Sequence, residues 1–130
     1  MKNFNKNFNK NFNKIFSKES FLVLGTIILN TINLILFSDN NKLLLLNSII
    51  ILGLYFYISE RRNKKVLFIT LIHFAFYGVI FESLIIKHTN VLTYRNPEKN
   101  LNIPLWLFPV YCSFALGALE TYNIINILVG

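Results

Sequence analysis

Four long apolar stretches, separated by short polar segments, decide what this chain can become. They cover residues 21–37, 43–59, 66–86 and 103–119. About 20 apolar residues at 1.5 Å rise cross a hydrocarbon core of about 30 Å. A helix of a soluble domain keeps a polar face, and these segments are apolar almost all round. The expected fold is therefore all-α, a polytopic membrane protein built as a four-helix transmembrane bundle. Composition agrees: 54% of the residues are hydrophobic, 13 of them Phe, against roughly 45–50% apolar residues in soluble domains. Two segments follow, a basic low-complexity tail over residues 1–19 and a transmembrane domain over residues 20–130.

The basic residues set the expected orientation. Lys2, Lys6, Lys10, Lys14, Lys18, Arg61, Arg62, Lys64 and Lys65 share one side of a four-span topology, nine in all. Lys42, Lys87, Arg95 and Lys99 make four on the other. The positive-inside bias then places both termini in the cytoplasm. The net charge of +7 is concentrated beside the spans, so it does not point to nucleic acid. Membrane lipid is the expected partner, with other membrane proteins or self-association also open. A basic region before an apolar run has the outline of a signal peptide. However, Ser38-Asp39-Asn40 is a poor cleavage site, so an uncleaved signal-anchor is the expectation.

Within the tail, Lys2-Asn3-Phe4-Asn5 repeats from Lys6 and Lys10 and decays at Lys14. The period of four puts Phe4, Phe8, Phe12 and Phe16 on one side of either a helix or a strand. Two readings stand: a basic aromatic segment lying on an anionic leaflet, or a disordered low-complexity expansion. Neither is part of the bundle.

Intramembrane polar residues are the usual pointers to function. Glu82 sits about one turn inside the outer end of the third span, and Ala75, Gly78 and Glu82 share a face suited to close packing. An ionised acid at that depth needs a cation or hydrogen-bond donors. Lys87 is about 140° away around the helix, which leaves Arg95 as the favoured cation, with Tyr94 and Asn96 also in reach. His73 lies mid-span without a second histidine at its depth, so a haem is not expected and a bond to another helix is. Glu120 reads as an interfacial residue at the inner end of the fourth span, too far from Glu82 for a carboxylate pair. Asn102 is placed to cap the fourth helix with Pro104 in its first turn, and Pro109 to kink the helix or end a short first turn. Asn30, Thr31, Asn33, Asn47 and Ser48 read as helix-packing groups, and Ser113, Gly117 and Ala118 as a small-residue face. Cys112 has no second cysteine to pair with. No Ser/His/Asp set, metal-ligand spacing, phosphate loop or dinucleotide fingerprint is present, and no cofactor or metal is expected.

The sequence from Glu82 through Tyr94-Arg95-Asn96-Pro97 to Ile103-Pro104-Leu105-Trp106-Leu107 resembles small uncharacterised multi-pass membrane proteins of bacteria and large DNA viruses. More distantly it is similar to carotenoid-biosynthesis and lycopene-cyclase-like membrane families, over about residues 78–111. The resemblance implies a helical membrane architecture. Two functional classes follow: a non-enzymatic structural or accessory membrane component, or a small enzyme or carrier acting on an isoprenoid or lipid. In the second class, Glu82, Tyr94 and His73 are the candidate catalytic residues.

Overall fold

A computed structural model describes residues 13, 17–89, 93–94, 97–98 and 102–129 of the chain. Phe4, Phe8, Phe12 and Phe16 of the tail lie outside them, as do Arg95 and Asn96. All regular structure among the described residues is helical: α1 (Lys18–Leu36), α2 (Asn41–Ile58), α3 (Lys64–His88) and α4 (Leu107–Val129). All four helices are long and apolar enough to cross a membrane, the architecture of a multi-pass integral membrane protein.

The helices are inside out by the standard of a soluble domain. The buried stripe of α1 is Val23, Thr26, Asn30 and Asn33, three polar residues out of four. Its exposed side carries Phe21, Leu24, Ile28, Leu29 and Ile32. On α3 the buried stripe is apolar, Leu71, Ala75 and Val79, but the large Phe74, Phe76 and Phe81 face outward as on α1. Water would penalise an apolar exterior of this extent, whereas lipid does not. Helix association in lipid then relies on close packing and hydrogen bonds between helices. Asn30 Nδ2 donates to Ser113 Oγ of α4 at 2.7 Å. Asn33 Nδ2 donates to Leu44 O and Ser48 Oγ of α2, each at 3.2 Å, while its Oδ1 accepts from Asn47 Nδ2 at 2.9 Å. Bonds of this kind contribute about 0.6 kcal/mol each on average. Thr31, by contrast, is exposed and donates to Ile27 O of its own helix.

Ends are set by local chemistry. Ser17 Oγ accepts from Ser20 N at the start of α1, and Asn40 Oδ1 accepts from Leu43 N at the start of α2. The start of α4 differs from expectation. The helix begins at Leu107, and Asn102 does not cap it: its φ is 59°, a left-handed conformation that Asn tolerates better than most residues. Asn102 N donates to Glu98 O, and Glu98 N donates to Ile103 O, which ties Glu98 to the lead-in of α4. Ile103 and Pro104 are buried against the bundle. Leu107 N and Phe108 N then donate to Pro104 O and Leu105 O in a tight lead-in turn. Pro109 is therefore the third helical residue, where a missing N–H deprives the helix of nothing, and it requires no kink.

α4 packs against all three other helices and α1 also packs against α2, whereas α2 and α3 are not closely paired despite their short connection. Small residues permit the closest approaches. A Cβ on Gly117 would fall 2.7 Å from Ile27 Cδ1, and Ser113 is fully buried, although Ala118 faces outward. The start of α1, the α2–α3 connection and the last turns of α4 share one end of the molecule, here the Arg61 end. Glu82 and the loop preceding α4 form the other, the Glu82 end.

Candidate functional site

Glu82 is built into its surroundings by three elements. On α3 it lies one turn beyond Gly78, whose missing side chain admits the ring of Tyr111 from α4. A Cβ there would be 2.9 Å from Tyr111 Cε1, so any other residue displaces the ring. Tyr111, seated in that notch, donates its hydroxyl to Glu82 Oε2. Tyr94, from the α3–α4 loop, donates to Glu82 Oε1. Both carboxyl oxygens are thus occupied by hydroxyls of the protein. Trp106 holds Tyr94 from the side, ring edge to face with centroids 5.9 Å apart. Its Nε1 donates to Asn41 Oδ1 at the first residue of α2, at 3.2 Å. Val79, Ile103 and Leu107 form an apolar floor beneath the group. Burial first, and then the bond to Glu82, raise the pKa of the Tyr94 hydroxyl above the ordinary tyrosine value. At neutral pH the hydroxyl keeps its proton and donates the hydrogen bond to Glu82.

Of the three expected catalytic candidates, Glu82 and Tyr94 come together and His73 does not. Nine residues before Glu82, His73 lies half a turn around α3 from it. It is exposed on the lipid side, with Nδ1 bonded to Ile69 O of its own helix at 2.9 Å and its ring 6.3 Å from Tyr77. The expected bond to another helix is replaced by this local one. Arg95, the expected partner of Glu82, lies outside the described residues. The donors found on Glu82 are two tyrosines, of which Tyr111 was not anticipated.

The Arg61 end carries a second polar group that sequence reasoning missed. Glu19 of α1 accepts from Ser59 Oγ at 2.9 Å, from Glu60 N at 2.8 Å and from Arg61 Nε at 3.3 Å. Arg61 Nη2 donates to Glu120 Oε2 on α4, and Ser20 Oγ donates to Glu120 Oε1 at 2.6 Å. A single guanidinium thus joins α1, the α2–α3 connection and α4. The side chain of Glu120 is only 12% exposed, held among neighbouring elements, and α4 continues past it to Val129. Lys18 pairs with Glu60 at 2.9 Å on the surface. The one advance signal was a count of opposite charges at a single predicted bundle end. Glu120 lies nine residues beyond Tyr111 on α4, about 14 Å of rise, so the carboxyls of the two ends cannot act on one substrate atom.

Among the described residues no group of three His, Cys, Asp or Glu side chains is placed to hold a metal ion. Cys112 is buried, its Sγ 3.7 Å from Leu71 O. Chemically, the Glu82 group can hold a loop and two helices in register. Each of its two carboxyl oxygens accepts from a tyrosine hydroxyl. Compared with family models, curated proteins and solved structures, the chain gives no match.

Proposed function

We propose that the chain is a non-enzymatic structural or accessory component of a membrane. Both termini lie on the cytoplasmic side, and it acts through contacts with lipid, other membrane proteins or copies of itself. The observation that carries this reading is the occupancy of Glu82: Tyr94 and Tyr111 take both of its oxygens. A general acid or base needs a path to substrate, whereas this carboxyl serves as the meeting point of three protein elements. The cytoplasmic assignment rests on the sequence count of Lys and Arg, nine in the N-terminal tail and the second connection against four in the first and third connections.

The purified chain in proteoliposomes, wild type and Glu82→Gln, tests the reading. The substitution should lower the thermal midpoint, and neither form should convert an added polyprenyl or acyl lipid. An unchanged midpoint in Glu82→Gln, together with a lipid conversion that it abolishes, would establish the enzymatic class instead. Orientation is tested by thiol labelling in a Cys112→Ala background. A cysteine at Asn63 should be reached only from the cytoplasmic face and one at Pro97 only from the other. Labelling of both from one face would refute the topology.

A further inference from the structure

The space left between α2 and α3 has a shape and a charge distribution of its own. Near their connection the two helices touch through Phe56 and Phe68, edge to face at 5.6 Å. Beyond that contact a groove of about 410 Å³ opens between them, with α4 as its floor. That volume falls within the range of about 300–1,000 Å³ typical of small-molecule sites. Leu52 and Gly53 form one wall, Ile72 and Phe76 the other, and Cys112 lies at the base. The lining is apolar, and nothing lies within 4 Å of a Cβ built on Gly53, so this glycine looks into open space. At this depth in a membrane the surrounding medium is acyl chain, so an apolar chain is the material available to fill the groove.

The end of the groove distinguishes one kind of chain-bearing molecule from another. Lys64, Phe68, Ile72 and Phe76 follow each other at four-residue intervals, so the α3 wall continues along one helix stripe to a lysine. Lys64 precedes Phe68 by about 6 Å of rise, so a glycerol would pass over the outer side of the Phe56–Phe68 contact between a chain in the groove and a headgroup at the lysine. The charges nearby are not all committed. Arg61 is taken by Glu19 and Glu120, and Glu60 by Lys18. Arg62, Lys64 and Lys65 form no ion pair among the described residues. Basic groups at the end of an interhelical cleft suit an anionic headgroup.

We propose that the α2–α3 groove is a binding site for an anionic phospholipid, one acyl chain lying in the groove and the headgroup on Arg62, Lys64 and Lys65. This deepens the accessory reading above and rests on it for the membrane setting alone. A zwitterionic lipid with the same chains fills the groove equally well but gains little from the three cations. Each cation near an anionic headgroup is worth about fivefold in affinity, so a preference of at least about tenfold is expected.

Native mass spectrometry of the full chain in detergent reads this directly, with phosphatidylglycerol and phosphatidylcholine of identical acyl chains as probes. The wild type should retain one phosphatidylglycerol, at least about tenfold more tightly than phosphatidylcholine. Gly53→Leu fills the groove while leaving every charge in place, and should lose that retention at least about tenfold. In the triple variant Arg62→Gln, Lys64→Gln, Lys65→Gln, both lipids should bind with affinities within about threefold of each other. Equal retention of the two lipids by the wild type would overturn the proposal, as would undiminished phosphatidylglycerol binding by Gly53→Leu. So would a dimer that excludes lipid and is lost in Gly53→Leu, which would make a second copy the occupant. A retained lipid of chemically altered mass would instead refute the non-enzymatic reading and leave the lipid site standing.

Discussion

The two ends of this bundle solve the same problem with different donors. At the Arg61 end, Glu19 and Glu120 are joined by one guanidinium, with hydroxyls and a backbone N–H completing their acceptors. At the Glu82 end, tyrosine hydroxyls bind the carboxyl, one from a loop and one from a helix. The first arrangement is a charge network and depends on ions meeting. The second depends on shape, because Tyr111 reaches Glu82 only across the notch at Gly78. The comparison teaches that polar residues at the ends of an apolar bundle need not mark a reaction centre. They can supply the specificity that lipid-facing Leu, Ile and Phe lack.

The sharpest break in the comparison comes from Arg61. Arg61→Ala leaves Glu19 and Glu120 facing each other without a cation, in positions about one-fifth exposed or less. The expected cost is about 3 kcal/mol, the lower part of the range for breaking a buried pair. Unfolding of the detergent-solubilised protein measures it, and Arg61→Lys should restore only part, since an ammonium lacks the fork that reaches two carboxylates. At the other end, Gly78→Ala should cost about 1–3 kcal/mol by pressing on Tyr111, despite the better helix propensity of Ala. Glu82→Gln comes next, at about 1 kcal/mol, because an amide still accepts from one tyrosine and can donate to the other. A loss well above that would mean the Glu82 end also depends on charge.

pH separates the ends further. The Tyr94 hydroxyl is favoured in its protonated form in the folded state, so its contribution is complete below the unfolded tyrosine pKa of 10.0. It is lost as pH rises above that value, when the unfolded chain gives up the proton first. Stability should therefore fall from about pH 10 upward, and Tyr94→Phe should flatten the fall. His73→Leu should have the smallest effect, within about 0.5 kcal/mol, because the ring faces outward and bonds only to its own helix.

The spans were legible because hydropathy is a local property of sequence, and a run of apolar residues names its solvent without help from the rest of the chain. Asn30, Asn33, Asn47 and Ser48 were legible for a related reason: polar groups buried in lipid have few partners except one another. What was not legible required register. Tyr111 meets Glu82 across 29 positions, and only the relative height of α3 and α4 decides that pairing. The Ala75–Gly78–Glu82 face showed that something packs there but not what. Arg61 needed three elements placed at once, so in sequence it was one more cation on the positive side. The start of α4 was misplaced because Asn102, a good N-cap by type, adopts a left-handed φ and turns the chain instead.

The coupling between Glu82 and Tyr111 tests the account most directly. Glu82→Leu, which removes both hydroxyl contacts, Tyr111→Phe and the double variant form a cycle in equilibrium unfolding, with Glu82→Leu and Arg61→Ala as the cross-end control. The account predicts a coupling of about 1 kcal/mol or more within the Glu82 end and additivity within about 0.5 kcal/mol between the ends. Additive losses for Glu82 and Tyr111 would contradict it, since the carboxyl would then not be the point at which α3 and α4 are joined.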